Sequence, residues 1–124
     1  MKIPKGHQVI MPYLILNDAK KFIDFVVDVF NAELVFSTMR EDNKTLMHSE
    51  IQINGSTIML SGSTEQWKPV KGNLFIYVQD ADETYKKAIA AGSATILEPR
   101  DENYGRACGV SDPFENVWWI TSVK

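Results

Sequence analysis

Apolar residues along this chain recur with two alternating periods, and the switches between them mark out its elements. Residues 8 to 16 (QVIMPYLIL) make a short β-rich apolar run; residues 18 to 30 (DAKKFIDFVVDVF) then place Phe22, Ile23, Val26, Val29 and Phe30 at helical spacing. A strand followed by a helix is predicted. Three strand-like pieces come next, at 33 to 40 (ELVFSTMR), 46 to 53 (LMHSEIQI) and 56 to 61 (STIMLS). The last two are joined by Asn54-Gly55, the strongest short-range hairpin signal. Past a polar loop at 62 to 72 the order restarts with a strand over 73 to 79 and a helix over 80 to 91. Asp80, with Glu83 three residues on, opens that helix and Gly92 closes it. Strands at 94 to 98, 104 to 111 and 116 to 123 complete the chain, the last two joined by a turn over Pro113 to Asn116.

Each half therefore reads βαβββ. Asn17-Asp18-Ala19 and Gln79-Asp80-Ala81 lie 62 residues apart, and so do Ala32 and Ala94. A shift that persists through strand, helix and following strand indicates a duplicated unit. Such a unit buries one sheet face under its helix and offers the other to its twin, so the open faces are expected to build a concave site. The first module covers about 8–62 and the second about 72–123, within one expected domain of residues 1–124.

Hairpin arithmetic assigns side chains to faces. A two-residue turn pairs 53 with 56, and hence 52 with 57, 50 with 59 and 48 with 61. Ile51, Ile53, Ile58 and Leu60 then form an apolar face that belongs under the helix. The opposite face carries His48, Glu50, Gln52, Thr57, Met59 and Ser61, too polar for a closed core and suited to a cleft. By the same alternation the first strand offers Met11 and Tyr13, the fifth Asn73, Phe75 and Tyr77, and the last Trp119 and Thr121. Cys108 and Arg106 are candidates to join them, depending on the register across the Pro113 to Asn116 turn.

Composition narrows the partners. Of the 124 residues 44% are hydrophobic and 23% charged, which is globular composition. Thirteen Lys plus Arg against sixteen Asp plus Glu give a formal charge of -3 without any basic run, so neither nucleic acid nor an anionic membrane surface is expected as a partner. Cys108 is the single cysteine, which excludes an intrachain disulfide and a thiolate metal cluster and suits a reducing compartment; a cytoplasmic location is expected. Pro4, Gly6 and Pro12 punctuate the N-terminal run, which reads as a first strand rather than a signal peptide. No stretch approaches the roughly 18 apolar residues of a membrane span.

With these residues in place the chain resembles the vicinal oxygen chelate superfamily, the glyoxalase and bleomycin-resistance fold of paired βαβββ modules. More narrowly it is similar to the PhnB-like branch, through MPYLIL, FNAELVF, LMHSEIQINGSTIMLS and YGRACGVSDPFENVWWITS. The DPF…W ending, preceded by Tyr104-Gly105-Arg106, is the most specific piece; Glu115 departs from the Gly usual after DPF. The resemblance implies an α+β fold with mixed sheets curling around a central cleft, and a homodimer. It also implies divalent-metal ligands at four strand positions, which here are Met11, Met59, Asn73 and Trp119. Thioethers prefer soft metals and an indole cannot ligate, so no metal and no cofactor is expected, and glyoxalase chemistry by the usual route is disfavoured. A demethylubiquinone methyltransferase activity is often attributed to the branch; the seven glycines, at 6, 55, 62, 72, 92, 105 and 109, contain no GxG and give it no support.

The expected function is binding of a small organic ligand, partly aromatic or apolar, in a metal-free cleft lined by Tyr13, His48, Glu50, Met59, Phe75, Tyr77 and Trp119. His48 matches a histidine common at this point in the branch. Two apart on a strand, His48 and Glu50 share a face as a hydrogen-bonded polar pair, a ligand contact or the two catalytic candidates. The alternative function is a lyase, isomerase or dioxygenase in which they hold an atypical metal with a ligand from elsewhere, or act as an acid/base pair. Trp118 and Trp119 must face opposite sides, Trp118 toward the helix. Cys108 reads as a small buried hydrophobe, Arg106 as a salt bridge or an anion holder, and His7 as solvated. Trp67, on the connector, is expected to dock on a second subunit.

Overall fold

The computed structural model describes residues 1–123. They divide into two compact units, Met1–Lys71 and the chain from Gly72 onward. In the first, β1 (Tyr13–Leu16), α1 (Ala19–Phe30), β2 (Glu33–Met39), β3 (Leu46–Ile53) and β4 (Ser56–Gly62) form a four-stranded sheet in the order β1-β4-β3-β2. In the second, β5 (Asn73–Tyr77), α2 (Ala81–Ala90), β6 (Ala94–Glu102), β7 (Gly105–Ser111) and β8 (Val117–Val123) repeat the order as β5-β8-β7-β6. The first strand of each unit runs parallel to the last and the other pairs are antiparallel, so both sheets are mixed. This is the predicted paired βαβββ, α+β architecture.

Local chemistry explains the boundaries. Asn54 and Gly55 both have positive φ, 48° and 86°, the primed turn that matches strand twist, and Ile53 pairs with Ser56 across it. The Asp80 carboxylate accepts the Glu83 N–H at 3.1 Å, satisfying a donor that the start of α2 would otherwise leave open. Gly92 follows α2 at φ 104°, a conformation that costs a side-chain-bearing residue about 1 kcal/mol or more. The strand predicted over 8 to 16 begins only at Tyr13, because Pro12 has no N–H to give a ladder. Conversely, the strand predicted to end at 98 runs to Glu102. It is a sheet edge, and Pro99 sits in the irregularity between Leu97 and Arg100, where a missing donor is tolerated.

The core of the first unit is one face of α1 against one face of the sheet. Phe22, Ile23, Phe25, Val26, Val29 and Phe30 are buried with Leu14, Leu16, Ile51, Ile53, Ile58 and Leu60, the apolar hairpin face read from the sequence. Helix α2 buries only Ala81 and Ala88, and the second unit relies more on Val110, Trp118 and Ile120 of its own strands. Its β7–β8 turn is organised by Asp112. That carboxylate accepts the Phe114 and Asn116 N–H groups at 2.8 and 2.9 Å, the Asn116 amide at 3.1 Å and the Trp118 indole N–H at 2.9 Å. The DPF…W motif thus works here as a structural knot.

Candidate functional site

In the first unit, titratable side chains collect on the polar face of the β3–β4 hairpin. Glu50 lies opposite Met59 and Gln52 opposite Thr57, as counted from the turn. The pleat puts His48 beside Glu50, and His48 Nε2 stands 2.9 Å from Glu50 Oε2. The other oxygen, Oε1, is met at 2.7 Å by Nε2 of His7. This corrects the expectation that His7 is solvated, since its side chain is only 17% exposed. One carboxylate thus receives an imidazole on each oxygen. Those hydrogen bonds, from His7 first and His48 second, hold the Glu50 carboxyl below its ordinary value against the opposing effect of burial.

His7 arrives on the segment that precedes β1, which crosses this sheet face. The Gln8 amide donates to the Thr57 carbonyl at 2.7 Å, the Thr57 hydroxyl to the Gly6 carbonyl, and the Met59 N–H to the Pro12 carbonyl at 2.9 Å. Gly6 has φ 87°, a left-handed conformation that favours glycine, and its Cα lies close to the Gln52 amide. The hairpin face read as open is therefore covered at Gln52 and Thr57. Rings flank it on the other side: Tyr13 and Phe36, each about half exposed, have centroids 5.7 and 6.0 Å from the His48 ring. An anionic carboxylate, two imidazoles, two aromatic rings and the half-buried thioether of Met59 share one surface. Each imidazole that donates from Nε2 leaves Nδ1, when the ring is neutral, as a proton acceptor.

The second unit presents a different, aromatic face. Phe75 and Tyr77 stand on β5 with ring centroids 5.1 Å apart, edge to face and mostly exposed. Trp119, opposite Phe75, donates its indole N–H to the Asn73 amide oxygen at 2.8 Å. Its ring lies across Gly109, where a Cβ would sit 2.5 Å from Trp119 Cζ3. Trp119 is half-buried, while Trp118 on the reverse face is 1% exposed.

Two candidates lie on the helix side instead. Cys108 pairs with the buried Ile120, its Sγ directed at the Ala81 carbonyl, and burial, reinforced by the Asp82 charge, pushes the thiol up to about 11. Arg106 donates to Asp82 at 3.0 and 3.2 Å and to Asp101 at 3.2 Å, tying β7 to the start of α2. Trp67 is exposed on the connector between β4 and β5. Sequence reasoning missed His7 and Phe36 as neighbours of His48. No periodicity announced His7, and the β2–β3 register that brings Phe36 opposite Glu50 contains a bulge.

Residues 7–120 match the Glyoxalase/Bleomycin resistance protein/Dioxygenase superfamily, and the chain belongs to that superfamily. The uncharacterised protein Mb0911c of Mycobacterium bovis is 30% identical over 119 residues, covering 86% of this chain and 78% of its own. Among solved structures, the PhnB protein of Bacillus cereus superposes with a TM-score of 0.76 at 18% identity, over 94% of this chain and all of that one. The fosfomycin resistance protein FosX of Listeria monocytogenes gives 0.73 at 19% identity over 94% of each chain. At these identities the two structures establish a shared fold.

The four positions that the resemblance implies as metal ligands, Met11, Met59, Asn73 and Trp119, carry no donor set suited to a hard cation. Met11 and Met59 offer thioethers, the Asn73 amide oxygen is already engaged by Trp119, and an indole N–H only donates. Among the described residues no three His, Cys, Asp or Glu side chains are grouped to hold a metal ion. His7 and His48 reach two different oxygens of Glu50 instead of converging on one point.

Proposed function

We propose that the chain is a PhnB-like binding protein that takes a small organic molecule, partly aromatic or apolar, without a metal. The candidate contact residues are Tyr13, His48, Glu50 and Met59 in the first unit, with Phe75, Tyr77 and Trp119 forming an aromatic face of the second. The observation that carries this reading is the Glu50 carboxylate, 15% exposed and bridged by two imidazoles beside the rings of Tyr13 and Phe36. A structural ion pair does not call for exposed aromatic rings around it, whereas recognition of a ring-bearing ligand does. The protein acts as a homodimer in the cytoplasm. The exposed Trp67 and the exposed Leu34, Val35 and Phe36 of edge strand β2 support association with a second copy, and sedimentation at micromolar concentration tests it.

A second reading is favoured by the 2.9 Å contact of His48 with Glu50, the geometry of an imidazole base oriented by a carboxylate, as a metal-free isomerase or lyase would need. One experiment addresses both. A library of small aromatic and apolar compounds is screened by thermal shift, and hits are re-measured on His48→Ala and Trp119→Ala. Weaker binding in either variant supports the site, and unchanged binding in both overturns it. Loss of turnover without loss of binding in His48→Ala establishes the enzyme reading.

A further inference from the structure

Residues 1–12 contribute no buried side chain to the first unit. They are held by hydrogen bonds to the Glu50 and Thr57 side chains and to the β4 backbone at Thr57 and Met59, while Val9 and Ile10 are left 71% and 83% exposed. A segment attached with little apolar burial opens at a small fraction of the cost of global unfolding. Its central contact is also the one with chemical content, because His7 presents a flat N–H heteroaromatic ring to a carboxylate.

We propose that residues 1–12 are a removable strap, with His7 the internal occupant of Glu50. The face beneath then binds a planar cation with N–H donors, an amidinium or protonated heteroaromatic, by displacing that ring. The inference rests on the reading of this face as a ligand site and names its ligand class. With His7 gone, a half-buried carboxylate lacks a partner on Oε1, so the strap recloses unless the incoming molecule supplies N–H groups of its own. An amidinium does so with two parallel donors matched to the two carboxylate oxygens. The half-exposed rings of Tyr13 and Phe36 add faces on which such a cation stacks. Anions are repelled by Glu50, and a neutral amide gains only an uncharged contact. Because the closed strap competes, apparent affinity is reduced by the fraction of molecules in which it is open.

The test is a titration of the full chain with benzamidine and with its neutral counterpart benzamide, followed by amide NMR shifts, in the wild type, His7→Ala and Glu50→Gln. His7→Ala removes a side chain outside the core and leaves the fold intact. Benzamidine is expected to move the β3 and β4 amides and to bind His7→Ala at least about tenfold more tightly than the wild type, about 1.4 kcal/mol. Glu50→Gln is expected to lose the response, and benzamide to give none. Equal affinity for wild type and His7→Ala overturns the strap while leaving the face a cation site. No movement of the β3–β4 amides in His7→Ala, or equal binding of benzamide, overturns the cation class. The compound screen described above then decides separately whether the face binds small molecules at all.

Discussion

His7 and Glu50, 43 residues apart, meet at 2.7 Å between Nε2 and Oε1, and this contact fastens the segment ahead of β1 to the hairpin face. Its pH dependence follows from the carboxylate. The folded Glu50 titrates below its ordinary value, so its contribution is complete above the usual carboxylate range and is lost as pH falls through the depressed folded value. Protonating an imidazole keeps its N–H donors and makes the bond to the carboxylate charge-assisted, so acid breaks this contact only by protonating Glu50. Amide shifts of residues 1–12 should show an acid step below the usual carboxylate range, where Glu50 takes up its proton. Glu50→Gln should lack that acid step, and the same step in that variant would contradict the assignment.

Asp112 is expected to be the most costly polar position in the second unit. Asp112→Ala leaves the N–H groups of Phe114, Asn116 and Trp118 without their acceptor in a buried turn. At about 1–3 kcal/mol for each unsatisfied buried donor, relaxation included, a loss of about 3–5 kcal/mol is expected from urea unfolding. Trp118→Phe removes a single donor and its partner's load together, and should cost less. A change below about 1 kcal/mol in Asp112→Ala would contradict this account.

Gly109 and Trp119 are coupled by space. An added Cβ at 109 would overlap the indole at 2.5 and 2.7 Å, so Gly109→Ala must swing the ring away and break its bond to Asn73. The Trp119 indole N–H resonance should shift and its exchange with solvent quicken. An unchanged resonance would show that the ring does not lie on β7.

Cys108 is expected to be inert. With the thiol pushed up to about 11 by burial, reaction with an aromatic disulfide reagent at pH 8 should wait for unfolding, becoming fast in urea. Immediate reaction of the native protein would contradict the placement of Cys108 under α2.

Much of this arrangement was legible in the sequence because the signals were local and periodic. Asn54-Gly55 set the register that places Glu50 opposite Met59, and Asp80 with Gly92 bounded α2. The opposite sides taken by Trp118 and Trp119 follow from alternation alone. The side taken by Cys108 was not legible. It depends on the turn from Asp112 to Asn116, where Glu115 adopts φ 69° in place of the glycine usual in the branch, and no spacing rule counts through such a turn. His7 was not legible either, because its position comes from a non-periodic segment whose hydrogen bonds to the sheet all reach residues more than 40 positions away.

The central claim is that Glu50 and its neighbours serve an organic ligand directly, with no metal. Elemental analysis after dialysis tests it most directly, on untagged protein offered nickel, zinc, manganese and iron in turn. The account predicts no metal retained near stoichiometry. Near-stoichiometric metal that disappears in a His48→Ala, Glu50→Ala double variant would contradict it and make metal-dependent chemistry the primary reading.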